Sequence, residues 1–129
     1  MTDRPPLKGL WHAALNVADV EASLRFYRDV LGMQVEWRPD ADNVYLTSGR
    51  DNLALHKGPS PAGAQALDHL GFVLPTPEAV DAWAAYLTVR GFAPEKPVRT
   101  HRDGARSFYV RDPGGVLVQF IHHPPLEAV

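Results

Sequence analysis

Cysteine is absent from the 129 residues, which removes disulfides, thiolate nucleophiles and cysteine-based metal sites together. No apolar run approaches the roughly 18 residues that a membrane-spanning helix needs. The opening stretch MTDRPPLK carries no apolar leader, so a cytoplasmic protein with no membrane partner is expected. Neither sign of charge dominates, with 13 Lys and Arg against 15 Asp and Glu and a net charge of −2. Without a block of like charge, nothing marks a nucleic-acid partner. There is also no P-loop, no dinucleotide fingerprint and no Ser-His-Asp order; the Gly114-Gly115 pair serves a turn. What remains is an ordinary soluble composition, 45% apolar, in a chain long enough for one domain with a real core. Six histidines are more than this length usually carries.

Two of those histidines open similar stretches. His12-Ala-Ala-Leu-Asn-Val-Ala-Asp-Val-Glu-Ala22 has a near-twin in His69-Leu-Gly-Phe-Val-Leu-Pro-Thr-Pro-Glu-Ala79, 57 residues later. In each, an apolar strand-like run follows the His, a polar N-cap candidate (Asp19, Thr76) comes seven residues on, and a helical pattern begins. Self-similarity at a fixed offset signals a duplicated unit. Duplication brings His12 and His69 to equivalent places.

The first unit, about residues 9–57, reads as β-α-β-β-β. Leu10 to Val17 is a strand with His12, Ala14 and Asn16 on one side. Val20, Leu24, Tyr27 and Leu31 form the apolar stripe of a helix that Gly32 ends. Strands follow at Met33–Trp37, Val44–Thr47 and Leu53–Lys57. Gly58 to Gln65 is a flexible connector. The second unit, about 66–122, repeats the order. It has a strand over Leu67–Leu74, and a helix with Pro77 at its first position and Val80, Trp83, Ala84 and Leu87 as stripe. A short strand at Phe92–Glu95, a polar loop over Lys96–Ala105, and strands at Ser107–Val110 and Val116–His122 complete it. A four-stranded sheet with one helix leaves a face uncovered, which two units can bury against each other or against a second chain.

Several residues have plainer readings. Trp11, Phe26, Tyr27, Trp37 and Trp83 are expected in the core or a subunit interface, and His122 and His123 in solvent. His56, on the strand face of Ala54, reads as a strand-end His that can also reach a pocket. Arg99, Arg102, Arg106 and Arg111 cluster around the polar loop, as solvated residues or as an attraction for an anionic substrate.

From the two His-led starts, from Ser23–Val35 (SLRFYRDVLGMQV) and from Ser107–Phe120 (SFYVRDPGGVLVQF), the chain resembles the vicinal oxygen chelate superfamily over roughly residues 9 to 122. That group includes glyoxalase I, type I extradiol dioxygenases, and fosfomycin- and bleomycin-resistance proteins. The resemblance implies an α+β fold of two βαβββ units forming a paired half-barrel, a single domain over 1–129, and a homodimer. It also implies a small-molecule substrate and metal ligands on the first and last strands of each unit. By it, His12 and His69 are the first-strand ligands, and Gln119 stands at the last-strand position where Glu is usual. Ala54 stands at the matching Glu position of the first unit. Both carboxylates are thus replaced. Neither Ala54 nor Gln119 can act as the metal-bound base that moves a proton in glyoxalase I.

The run His101, Phe108-Tyr109, Asp112-Pro113, Gln119 is similar to the extradiol dioxygenase signature. This implies that His101 or a neighbour is an acid/base and that Tyr109 hydrogen-bonds a substrate oxygen; His56, Ala54 and Arg106 are further pocket candidates. Two His and an oxygen ligand suit a divalent ion, Fe²⁺ or Mn²⁺ ahead of Zn²⁺ or Ni²⁺. A neutral Gln leaves the ion's charge uncompensated unless an anionic substrate supplies the missing oxygen. The first expectation is therefore a metal-dependent dioxygenase or lyase whose substrate chelates the ion through adjacent oxygens. The second is a metal-free binder of the bleomycin-resistance kind. The third is a glyoxalase I-like isomerase with His56 or His123 as base.

Overall fold

The computed structural model describes residues 4–59 and 66–124; most of the expected connector lies outside them. The chain divides into two compact units, 1–58 and 59–129.

The first unit runs β1 (His12–Val17), α1 (Val20–Leu24), a π-helical turn (Arg25–Val30), β2 (Gln34–Asp40), β3 (Asn43–Thr47) and β4 (Asn52–Lys57). Its sheet order is β1-β4-β3-β2, with β1 and β4 parallel. Asp19 caps the helix as expected, its Oδ1 accepting from the Ala22 N–H at 3.0 Å. Val20, Leu24 and Tyr27 are buried, but Leu31 is not, and Phe26 is buried instead. The reason is the wide turn. The Leu31 N–H reaches the Phe26 carbonyl at 2.9 Å, five residues back, so the phase slips and two consecutive aromatics point inward. Their rings meet edge-on at 4.9 Å. Leu15, Val17, Val44, Leu46, Leu53 and Leu55 complete this core. β2 is exposed along its length and its pairing with β3 breaks register twice. Trp37 on β2 and Trp11 ahead of β1 are 58% and 46% exposed, so neither belongs to a core within the chain.

The second unit runs β5 (Leu70–Val73), α2 (Pro77–Val89), β6 (Arg99–Thr100), β7 (Arg106–Arg111) and β8 (Leu117–His122), ordered β5-β8-β7-β6 with β5 and β8 parallel. Thr76 caps α2 through the Ala79 N–H at 3.0 Å, and Val80, Ala84 and Leu87 are buried. Phe120 on β8 is the centre of this core. It stacks on Phe108 at 5.1 Å and on Phe72 and Trp83 at 5.8 Å. Asp112 organises the β7–β8 turn by accepting from the N–H groups of Gly114 (2.9 Å) and Val116 (2.8 Å), while Gly115 takes a φ of 90° that favours glycine.

Three expectations change here. The strand expected over 67–74 shrinks to Leu70–Val73. The strand expected at Phe92–Glu95 does not form, and the short edge strand lies in the expected loop, at Arg99–Thr100. Glu95 still touches the sheet, its N–H bonded to the Tyr109 carbonyl at 2.8 Å. His122, expected in solvent, is only 4% exposed, because it shares the helix-facing parity of Phe120. Among the described residues no helix is long and apolar enough to cross a membrane.

Arg106 ties β7 to α2. Its guanidinium forks onto Asp81 at 2.7 and 3.1 Å and also donates to Thr100 Oγ1. The hydrogen bond from Arg106 holds the Asp81 carboxyl below its ordinary value.

The packing and the ion pair each make a stability prediction. Phe120→Ala removes the ring that three others stack upon and is expected to cost about 3–5 kcal/mol in urea unfolding; a loss below about 1 kcal/mol would contradict the packing described. Because the folded Asp81 value is lowered, its contribution is complete above the ordinary 3.8 and disappears as pH falls through the lowered value. Wild type is therefore expected to unfold at higher urea than Asp81→Asn at neutral pH, with the gap closing in acid. A gap independent of pH would refute the linkage.

Candidate functional site

In each sheet one face packs on the helix and the other carries the polar residues. On β1 of the first unit Leu15 and Val17 point to the helix, while His12, Ala14 and Asn16 alternate to the far side. Their partners on β4 are Asn52, Ala54 and His56. Ala54 pairs onward with Tyr45, and Tyr45 with Trp37, whose rings stack at 5.1 Å.

Both histidines on this face are held the same way. His12 Nδ1 lies 2.7 Å from Asn52 Oδ1, and the Asn52 amide donates to Glu36 Oε1 at 2.9 Å. His56 Nδ1 lies 2.6 Å from Asn43 Oδ1, and the Asn43 amide donates to Asp40 Oδ1 at 2.9 Å. A carboxylate only accepts, so each Asn must turn its NH₂ to the acid and its oxygen to the imidazole. A ring nitrogen facing that oxygen must carry the proton. Each neutral ring therefore keeps its lone pair on Nε2. His56, expected as a plain strand-end residue, is half-buried in this network and meets Tyr45 edge-on at 5.7 Å.

The second unit presents the matching face. Gly71 pairs with Gln119, and Gln119 with Tyr109, just as Ala14 pairs with Ala54 and Ala54 with Tyr45. Ala54 and Gln119 are thus structural equivalents, and so are Tyr45 and Tyr109. The Gln119 amide nitrogen donates to the Tyr109 hydroxyl at 3.1 Å. Its Oε1 faces Gly71, where a Cβ would stand 3.7 Å away. His69 sits one residue ahead of β5 rather than within it, with its ring edge-on to Tyr109 at 5.2 Å. The Asp68 carboxylate lies 2.7 Å from its Nδ1, so this ring too is protonated there and directs Nε2 outward.

A cavity of about 490 Å³ lies on this unit, within the usual range for small-molecule sites. Asp68, Lys96, Arg99, His101, Ser107 and Tyr109 are among its lining, and His69 adjoins it through its contacts with Asp68 and Tyr109. His101 Nε2 is 3.0 Å from Ser107 Oγ. His101 also begins a tight turn in which Asp103 accepts the Ala105 N–H at 3.0 Å. That bond first, and the charges of His123 and His101 after it, hold the Asp103 carboxyl below its ordinary range.

Of the residues singled out from the sequence, His69, His101, Tyr109 and Gln119 come together on one face of the second sheet. His12, Ala54 and His56 share the equivalent face of the first. Arg106 does not join them. It pairs with His122 on the helix side of β7, its guanidinium is committed to Asp81, and it does not line the cavity. Sequence reasoning misses Asn52, Asn43, Asp68 and Ser107, which fix the imidazoles. Asp68 is adjacent to His69 in sequence; the others are brought in by strand pairing. Among the described residues no group of three or more His, Asp or Glu gathers as an ion site. The donors on offer are imidazole nitrogens and one amide oxygen.

Comparison with known proteins agrees with this architecture. Residues 9–120 match the model of the glyoxalase/bleomycin resistance protein/dioxygenase superfamily. Lactoylglutathione lyase from Agrobacterium tumefaciens is 26% identical, with 95% of this chain and 98% of that one covered and a TM-score of 0.79. An integron cassette protein from the mobile metagenome of the Halifax Harbour sewage outfall is 27% identical over 90% of this chain and 99% of its own, with a TM-score of 0.75. A glyoxalase/bleomycin resistance protein/dioxygenase from Alicyclobacillus acidocaldarius, 20% identical over 89% and 91%, shares the fold at a TM-score of 0.72. With two βαβββ units of equivalent register and a family match over most of its length, the chain belongs to the glyoxalase/bleomycin resistance protein/dioxygenase superfamily.

Proposed function

We propose that the protein binds a divalent ion through His12, His69 and Gln119, donated by one chain or by two copies in a homodimer. The ion takes a small substrate that chelates it through two adjacent oxygens, in dioxygenase- or lyase-type chemistry. The observation that carries this reading is the fixed tautomer of both histidines. An imidazole whose Nδ1–H is tied to an Asn oxygen or a carboxylate offers a lone pair at Nε2, the arrangement that metal-binding histidines use. Gln119 adds a neutral oxygen, oriented by the Tyr109 hydroxyl. When bound, the ion supplies Lewis-acid polarisation of the substrate oxygens. The chain itself supplies the rest: Tyr109 offers its hydroxyl to a substrate oxygen, and His101, linked to Ser107, can hold or release a proton at the cavity wall.

The expected result is a stoichiometric divalent metal in protein purified without an affinity tag, lost in His12→Ala and in His69→Ala. Asn52→Ala releases the His12 tautomer while leaving the ligand in place, and is expected to weaken metal affinity about 10- to 100-fold. Absence of stoichiometric metal, with ligand binding unchanged in both His variants, would eliminate the proposal.

One observation favours a second reading, a metal-free binder. The ligand set lacks a carboxylate, and no three-membered His/Asp/Glu group gathers among the described residues. In that case affinity for a small aromatic ligand is unchanged by chelator, whereas the metal reading requires it to fall. The likeness to lactoylglutathione lyase also raises an isomerase. With Ala54 and Gln119 at the positions of the expected bases and His12 assigned to the ion, His56 is the other imidazole described on the first sheet's far face that keeps a free Nε2. We expect a flat trace with a hemithioacetal at high enzyme concentration; turnover that His56→Ala abolishes would reverse that expectation.

A further inference from the structure

The cavity of the second unit carries a charge imbalance that the chemistry above does not use. Five charged residues line it: Asp68, Glu95, Lys96, Arg99 and Arg111. Asp68 is taken by His69, and Glu95 by Arg111, whose Nε donates to Glu95 Oε1 at 2.7 Å. Among the described residues Lys96 and Arg99 have no carboxylate partner. Both cations line the cavity from the segment that runs along β7, between the Glu95–Tyr109 backbone bond and the Arg99–Ser107 pair. Tyr109 and Leu117 line it from the sheet itself, and Tyr109 in turn contacts His69 and Gln119.

We propose that Lys96 and Arg99 form an anion subsite that takes the carboxylate of an aromatic acid, whose ring lies along Tyr109 and whose remaining oxygens point to the His69–Gln119 end. An exposed guanidinium and ammonium with no carboxylate partner among the described residues can both be met by a ligand carboxylate, and the planar fork of Arg99 matches its two oxygens. Length agrees as well. His69 leads into β5 and Arg99 lies on β6, the two edges of a four-stranded sheet. Three strand steps separate them by roughly 14 Å, and the reach of the two side chains leaves about the length of one substituted ring. The ligand's far end rests on the metal-binding reading above, but the anion subsite does not.

The test is titration calorimetry of the full chain with 3,4-dihydroxybenzoate and with its methyl ester, in the presence of Mn²⁺ and again with chelator. The acid is expected to bind at least about 10-fold tighter than the ester, from charge-assisted hydrogen bonds that the ester cannot make. Arg99→Gln and Lys96→Gln are expected to remove most of that preference while leaving ester affinity unchanged, and Arg99→Lys to retain part of it. An acid-to-ester ratio near one in wild type, a ratio untouched by either Gln variant, or no binding of either compound at millimolar concentration would each overturn the subsite. The two readings fail separately. If chelator and His69→Ala change neither affinity while the acid preference survives, the metal reading falls and the anion subsite stands.

Discussion

Parallel pairing of the first and last strands within each unit determines what every polar residue in this protein can reach. Such pairing demands a crossover, and the chain makes it through a capped helix, which then buries one face of the sheet. Whatever side chains alternate to the other face are grouped by register alone. In the first unit the register sets His12 beside Asn52 and Asn16 beside His56; in the second it sets Gly71 beside Gln119. A slip of one residue would exchange the two faces and bury the histidines against the helix. The leucines and valines of the helix side, most of them fully buried, make that slip costly. Hydrophobic packing on one face therefore fixes the chemistry of the other.

The duplication, both helix caps and the β7–β8 hairpin are legible in the sequence because each rests on local rules: a capping side chain, a glycine past a helix end, a period of two. What escapes depends on other things. The π-helical turn leaves no mark in a count at 3.6 residues per turn, so the stripe predicts Leu31 inside where Phe26 is found. β6 consists of Arg99 and Thr100 alone at a sheet edge, too short for any alternation to register. Arg106 and His122 are a different case. Both share the parity of Phe108 and Phe120, opposite to Tyr109 and Gln119, so counting by two already separates them from the pocket face. Chain proximity to Tyr109 obscures a signal that is present.

The two asparagines of the first unit set its histidines apart from His69 of the second. Asn52 and Asn43 accept from an imidazole and donate to a carboxylate, so charge lies one step further from the ring than in the second unit, where Asp68 meets His69 directly. A carboxylate behind an imidazole strengthens Nε2 as a donor more than a neutral amide does, because its negative charge offsets the positive charge that the ring takes on when it binds a cation. The duplicated histidines occupy equivalent positions but are not equivalent donors. His69 is backed by a carboxylate and His12 by a neutral amide.

That asymmetry bears on the missing negative charge. A metal centre with two imidazoles and one amide keeps the full charge of its ion, and a low-dielectric site penalises such a charge unless an anion accompanies it. In the second unit the cavity is lined by Asp68, which backs His69, by Tyr109, which bonds Gln119, and by two cations with no carboxylate partner among the described residues, whereas the first unit's far face carries an alanine and an aromatic stack at the equivalent rung. On the proposed function, ligand recognition is concentrated in the second unit. The first contributes a histidine held in one tautomer and a surface of Ala54, Tyr45 and Trp37 with no charge of its own. At equivalent rungs the second copy carries an amide bonded to a tyrosine hydroxyl, and the first an alanine beside an aromatic stack.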